Sequence, residues 1–430
     1  MLNMVKKARG FWLKIVIIFS VLGPGIIAGS ANNDAGGIST YSFAGSKFGY
    51  TLLWVLVINF FTLASTQQIG VRLGVFTGKG LASLIRERFG VRWTLLAVFT
   101  LLVANLAVCT SEFAGLAASL ELFNISKWIA IPSFAVIVWL ILYKGSFKKI
   151  ERMFLFISAL FLVYVVAAVM AKLDWGEVAS ASITPFLYSD KAFFLAFLGV
   201  MGTTITPWGQ FFIQSYVVDK GISIKNYIIE KWEVIFSAFF TCFIAAMIIV
   251  TTKNVLFDNG VVVDSAEKAA MSLVPFLGRF AETIFGFGFF AASLLGAFIL
   301  PLTTSYCVCE ALGFEHGVNT KLKDAPVFYG LMALMILIAA AFVLTPIFSL
   351  FQIMIFAQVV NGMLLPIILV FLIILFNGGK QLGLPAQSKI SSFLYNLIIW
   401  AVIACLTVVS VLLVLLTLFP NLIETMIWWR

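Results

Sequence analysis

The chain has 430 residues, 62% of them hydrophobic and 11% charged, with a formal net charge of +9. So sparse a complement of charges excludes a water-soluble domain of this size, and with it a soluble enzyme, a secreted module or a DNA-binding protein. At roughly 20 apolar residues per membrane-crossing helix, the length accommodates about eleven spans and leaves no room for a soluble domain.

The N-terminal Met1–Gly10 is basic, and the apolar segment behind it runs into glycine-rich sequence without a small-residue cleavage site, so it reads as a retained first helix rather than a signal peptide. Apolar runs between polar breaks predict spans over 11–45, 51–71, 93–120, 128–143, 153–171, 192–218, 232–252, 276–312, 326–345, 347–376 and 392–419. The first and the sixth are interrupted. The five cysteines, Cys109, Cys242, Cys307, Cys309 and Cys405, fall in or at the ends of apolar stretches, as packed thiols do. Cys307 and Cys309 form only a C-x-C, too few ligands for a zinc site. Trp428 and Trp429, before Arg430, suit an interfacial belt, and Phe285 to Phe290 read as core or lipid-facing.

The cations set the orientation. Twenty of the 28 Lys and Arg residues fall at the N-terminus or in the gaps on the same side as it, among them Arg72, Lys79, Arg86, Lys144, Lys220 and Lys321. The eight others, such as Lys47, Lys127 and Lys268, fall on the opposite side. By the positive-inside rule the N-terminus is cytoplasmic, and an odd number of spans puts the C-terminus outside, in a multi-pass protein of the plasma membrane.

All but two of the nineteen acids sort to loops or helix ends; the exceptions are Asp34 and Glu112. A carboxylate at the bilayer centre costs about 2.5 to 3.5 kcal/mol, so each requires a partner, a cavity or a function. Asp34 lies in Gly29-Ser30-Ala31-Asn32-Asn33-Asp34-Ala35-Gly36-Gly37, where glycine and small polar residues unwind a helix. The sixth span is interrupted at Gly202-Thr203-Thr204-Ile205-Thr206-Pro207-Trp208, and Pro207 frees a carbonyl about one turn earlier, near Thr203. Freed carbonyls beside a carboxylate make a cation site. Breaks in spans 1 and 6, with five spans per unit, point to inverted repeats over 11–171 and 192–376, followed by an eleventh helix over 392–419, all in one transport domain spanning 1–430.

These residues resemble a family. Gly23-Pro24-Gly25 followed by Asp34-Ala35-Gly36-Gly37 is similar to the first-helix signature of the NRAMP divalent-metal transporters. Further matches are Arg72-Leu73-Gly74-Val75-Phe76-Thr77-Gly78-Lys79, Glu112-Phe113-Ala114-Gly115, and Gln358-Val359-Val360-Asn361 through Pro366. The resemblance runs in order from Phe11 to Leu418 and implies an all-α integral membrane protein of LeuT-like fold, with alternating access to a metal site at the midplane.

The departures from the family narrow the substrate. Gly37 stands where the family has an asparagine ligand, and Thr206 where its Ala-x-x-Met-Pro-His string carries a metal-binding methionine. Thioethers favour softer transition metals, whereas Mg²⁺ takes oxygen ligands and retains several waters. The sequence therefore resembles the NRAMP-related magnesium transporters, which implies Mg²⁺ bound largely hydrated, with Mn²⁺ accepted. Trp208 replaces one histidine of the proton-coupled members, a second aligns near Ile213 or Gln214, and Cys109 replaces an acid. The single histidine, His316, falls in a predicted cytoplasmic loop. Facilitated transport without proton coupling is the expectation.

Asp34 is then expected to be the anionic ligand or an acceptor from metal-bound water, with the carbonyls of Ala31 and Thr203 facing the ion. Thr206 contributes its hydroxyl or space, and Gly37 the absence of a ligand. Gln358 and Asn361 enter on closure. Glu112 and Trp208 flank the site, and Gln210 and Gln214, on one helix face, line an aqueous path. Asn59, Gln67, Gln68 and Asn105 read as interhelical contacts. The expected partners are Mg²⁺, Mn²⁺ and the lipid bilayer, with no cofactor, nucleic acid or obligatory protein partner. Two alternatives stay open: a proton-coupled Mn²⁺/Fe²⁺ transporter using Glu112, and a Na⁺-coupled organic-solute symporter, whose substrate carboxylate Asp34 would repel. An intramembrane enzyme would need a nucleophile–base pair or several His/Asp ligands that these spans do not assemble.

Overall fold

The computed structural model describes residues 33–144, 162–171, 173–188, 190–317 and 320–419. The Gly23-Pro24-Gly25 run, Ala31, residues 153–161 of the predicted fifth span and the C-terminal tryptophans lie outside these residues. The described chain is all-helical. Its principal helices are α1 (Ala35–Phe48), α2 (Leu53–Thr77), α3 (Leu81–Phe89), α4 (Val91–Glu121), α5 (Lys127–Lys144), α6 (Leu162–Met170) and α7 (Trp175–Ile183). They continue with α8 (Lys191–Thr204), α9 (Pro207–Asp219), α10 (Tyr227–Val255), α11 (Ala281–Leu312), α12 (Pro326–Leu344), α13 (Leu350–Asn377) and α14 (Lys389–Leu418). Nine helical stretches among the described residues are long and apolar enough to cross a bilayer. They match nine of the eleven predicted spans; α1 and α6 are the described parts of the other two.

Local chemistry sets the helix ends. Ser349 caps α13 in a reciprocal capping box with Gln352, and Pro326 and Pro207 open α12 and α9 at positions where a missing N–H costs nothing. Gly78 and Gly313 close α2 and α11 in the left-handed region, at φ of 66° and 79°. In a bilayer each backbone group has to be satisfied within the protein, and continuous helices meet that requirement.

One large apolar core threads almost every helix. The α5 and α14 helices turn most of their surface outward as Trp128, Ile129, Phe393, Trp400 and similar residues, as lipid-facing helices do. Polar side chains join helices within the core. Asn59 donates to the Val200 carbonyl at 3.1 Å, Asn105 to Thr304 Oγ1 at 2.7 Å, and Tyr395 to Gln68 Oε1 at 2.7 Å. Gln67 is buried, and no hydrogen bond reaches its Oε1. Four cysteines are buried, Cys405 is exposed, and no disulfide joins any of the five. Three ion pairs form among the described residues, Lys79–Glu87, Lys253–Asp258 and Lys268–Asp264, all at helix ends or in loops.

Candidate functional site

The site is built where three helix ends meet. Asp34 is the N-cap of α1: its Oδ1 accepts from the Gly37 amide at 2.7 Å, and the side chain is only 4% exposed. A carboxylate there is favoured by the positive end of the helix dipole, one reason it tolerates burial. The sixth predicted span divides as expected. α8 stops at Thr204, Ile205 and Thr206 leave the helical region, and α9 starts at Pro207. Pro207 has no N–H to give to the Thr203 carbonyl, so that oxygen lacks its helical donor. The Thr206 hydroxyl accepts from the Gly209 amide at 3.3 Å, capping α9. The carbonyl end of α8 thus faces the break with partial negative charge, a favourable surface for a cation.

Two further helices close in. On α4, Glu112 is fully buried beside Asp34 and the first amides of α1, and neither carboxylate oxygen has a hydrogen bond of normal geometry. Its room comes from α11, where a methyl on Gly296 would stand 2.4 Å from Glu112 Cγ. On α13, a fully buried Asn361 donates to the Gly202 carbonyl at 3.4 Å and to Gln358 Oε1 at 3.2 Å. These bonds orient Gln358 so that its NH₂ group lies over Gly36, where a methyl would stand 2.0 Å from Nε2. An amide nitrogen cannot ligate a metal ion, so Gln358 has to turn before its oxygen can do so.

Helix crossings hold this geometry. A Cβ on Gly202 would meet the Gln358 carbonyl at 2.2 Å, and one on Gly362 the Leu198 carbonyl at 2.3 Å, so α8 and α13 cross backbone against backbone. The Tyr41 hydroxyl, 2.8 Å from Thr204 Oγ1, ties α1 to the end of α8. Met354, one turn from Gln358, accepts a hydrogen bond from the Ser39 hydroxyl on its sulfur at 3.4 Å.

A family profile described as natural resistance-associated macrophage protein-like, Nramp, matches residues 25–416. The chain belongs to the Nramp family. It is 27% identical over 403 residues to the "Divalent metal cation transporter MntH" of Yersinia pestis (strain Pestoides F), covering 90% of this chain and 93% of the relative. It is 30% identical over 288 residues to the protein of the same description from Yersinia enterocolitica, covering 65% of this chain and 69% of that one. Among solved structures, an Eremococcus coleocola manganese transporter superposes with a TM-score of 0.71 at 21% identity, covering 93% of this chain and 86% of the other. Mhp1, a nucleobase-cation-symport-1 transporter, superposes at 0.60 and 14% identity, covering 93% and 91%. MhsT superposes at 0.59 and 14%, covering 92% and 98%. The fold is therefore the LeuT-like transporter fold.

In this Nramp chain Asp34, Gly37, Thr203, Thr206, Gln358, Asn361 and Glu112 sit at or beside the meeting of α1, α4, α8, α9 and α13. Ala31 lies outside the described residues. Trp208 is buried against Phe212, ring centroids 5.7 Å apart, in the first turn of α9. Gln210 reaches back to the Thr206 carbonyl at 3.5 Å. Gln214 stands apart from the group, donating to the Lys79 carbonyl at 2.9 Å, and so ties α9 to the α2–α3 connection. His316 is also remote; its Nδ1 pairs with the Phe314 carbonyl at 2.9 Å and its ring meets Tyr306 edge-on. Sequence reasoning missed Ser111, whose buried, unpartnered hydroxyl would stand 2.7 Å from a methyl on Gly36. Its one signal was its place beside Glu112.

Proposed function

We propose that this chain carries divalent cations, Mg²⁺ by preference and Mn²⁺ as well, into the cell by alternating access without coupling to protons. The observation that carries this reading is the chemistry of the side chains around the helix breaks. Asp34, Glu112, Thr203, Thr206, Gln358, Asn361 and Ser111 offer carboxylate, hydroxyl and amide oxygens, while the sulfur of Met354, a turn from Gln358, is engaged by Ser39. Such donors suit a hard ion that retains waters better than a softer one needing a thioether. The relatives described as divalent metal cation transporters support the broader class.

Asp34 is the anionic anchor in this proposal, and the α8 carbonyl end, Thr203 foremost, supplies the neutral oxygens. Gly37 and Thr206 widen the site, Glu112 orients retained water, and Gln358 and Asn361 swing in on closure. The segments 11–171 and 192–376 are the two repeats that move against each other. The cation bias supports an N-terminus in the cytoplasm of a plasma-membrane protein. A membrane potential of 100 mV then favours entry of two charges by about 4.6 kcal/mol.

A second reading, Mn²⁺ uptake coupled to protons, is favoured by one observation, the two neighbouring buried carboxylates of Asp34 and Glu112. Uptake of Mg²⁺ and Mn²⁺ by the purified protein in liposomes, with internal pH recorded, decides between them. Mg²⁺ entry without acidification supports the first. Mn²⁺ entry accompanied by stoichiometric acidification, with no Mg²⁺ entry, supports the second.

A further inference from the structure

The run Arg72–Lys79 takes no part in the candidate site, yet three helices are fastened to its end. Gly80, the next residue, is the N-cap of α3 and has no side chain to offer the first amides. Glu310, from the last turn of α11, supplies an acceptor instead. Its carboxylate lies beside the amide and hydroxyl of Ser83, and a methyl on Gly80 would stand 2.2 and 2.4 Å from its two oxygens. The positive end of α3 favours a carboxylate there. Further along α3, Arg86 donates at 2.9 Å to the Ala311 carbonyl, one of the last in α11 and so without a helical donor.

From the other side, Gln214 on α9 donates to the Lys79 carbonyl at 2.9 Å. α9 also lies close on α2: a methyl on Gly70 would stand 2.7 Å from Ile213 Cγ2, and one on Gly74 3.0 Å from the Gln214 carbonyl. Lys79 and Gly80 thus join α9 to α11 through a chain of polar contacts. Asp219, which ends α9, and Glu310 stand near enough to act on one another, with His316 near both. Thr206, Gln210 and Gln214 are each at most 1% exposed, so this face of α9 is shut to solvent below the candidate site. The opposite end of the molecule is open. A cavity of about 500 Å³ among the ends of α4, α11 and α13 is lined by Ala118 and Phe351, about two turns from Glu112 and Gln358.

We propose that the Lys79–Gly80 connection is a latch that holds shut the side the basic residues mark as cytoplasmic. α9 swings away from α11, and opens the way from Asp34, only when Gln214 leaves the Lys79 carbonyl or Glu310 leaves its seat at Gly80. The latch rests on the alternating-access reading above, but not on which ion is carried or whether protons accompany it.

The test is the distance between spin labels on Lys220→Cys, at the end of α9, and Leu312→Cys, at the end of α11, by pulsed dipolar spectroscopy on the full chain in metal-free buffer. Both positions are exposed, and Cys405→Ala removes the one exposed native thiol. One short distance should dominate in the otherwise unsubstituted chain. Gln214→Ala is expected to raise the population at longer distance several-fold, and Glu310→Ala or Gly80→Ala by a smaller factor, since Arg86 still holds Ala311. Gly80→Ala should add nothing once Glu310→Ala is present, because its methyl then displaces no carboxylate. Glu310→Gln, whose amide oxygen can still accept from Ser83, is the folding control and keeps the short distance. Distances indifferent to Gln214→Ala, a Gly80→Ala effect that is the same with and without Glu310, or a long distance already dominant without these substitutions would each overturn the latch. Distances that respond as expected in a protein that carries neither Mg²⁺ nor Mn²⁺ into liposomes would support the latch and count against the metal-transport reading instead.

Discussion

Asp34 serves two purposes that a single substitution confounds. Its Oδ1 holds the Gly37 amide and starts α1, while its charge is the proposed attraction for the ion. Asparagine caps a helix about as well as aspartate, whereas alanine forfeits about 1 kcal/mol of capping. Asp34→Asn and Asp34→Ala are therefore both expected to abolish Mg²⁺ flux in liposomes, with only Ala lowering the unfolding midpoint; wild-type flux in Asp34→Asn would remove Asp34 from the ligand set. Thr206→Met combined with Gly37→Asn should move competition toward Mn²⁺ at a cost of about 1 kcal/mol, since the Thr206 hydroxyl also caps α9. An unchanged Mg²⁺-to-Mn²⁺ ratio would assign selectivity to other residues. At this scale the sequence was readable where chemistry is scarce. Asp34 and Glu112 stand out because carboxylates are rare in apolar runs. Ser111 and Gly36 gave little signal, because serine and glycine in membrane helices ordinarily serve close packing. Glu230 and Glu233 fall in the first turns of α10, the helix end to which sequence sorting assigned them, but hydropathy does not tell which face of that end is turned inward.

The interruption between α8 and α9 is two residues long and depends on Pro207. Pro207→Ala restores a donor opposite the Thr203 carbonyl and lets a continuous helix form across Ile205 and Thr206. The expected outcome is an unfolding midpoint at or above wild type together with a several-fold loss of turnover; unchanged turnover would show that the break is not needed for movement. The break before Pro207 was legible, since proline acts locally; the glycine-rich interruption expected in the first span lies largely outside the described residues. Helix ends were less so. α10 begins at Tyr227 rather than near 232, and α2 runs on to Thr77 rather than 71, because a helix continues through polar residues until a cap such as Gly78 ends it.

Across the whole molecule, a carrier driven only by membrane potential makes a quantitative statement. About 4.6 kcal/mol at 100 mV, inside negative, corresponds to roughly three orders of magnitude of accumulation at equilibrium. Mg²⁺ accumulation should therefore follow an imposed potassium-diffusion potential at matched pH, and a requirement for a pH gradient would refute uncoupled transport. The backbone crossing of α8 and α13 at Gly202 and Gly362 bears on how such a carrier moves. Backbone contact at Gly202 and Gly362, with Asn361 bonded across to the Gly202 carbonyl, favours the two helices moving as one piece. Under the proposed alternating access, whatever rocks to expose Asp34 from one side and then the other would carry α8 and α13 together, leaving the two residues before Pro207 as the joint about which α9 turns.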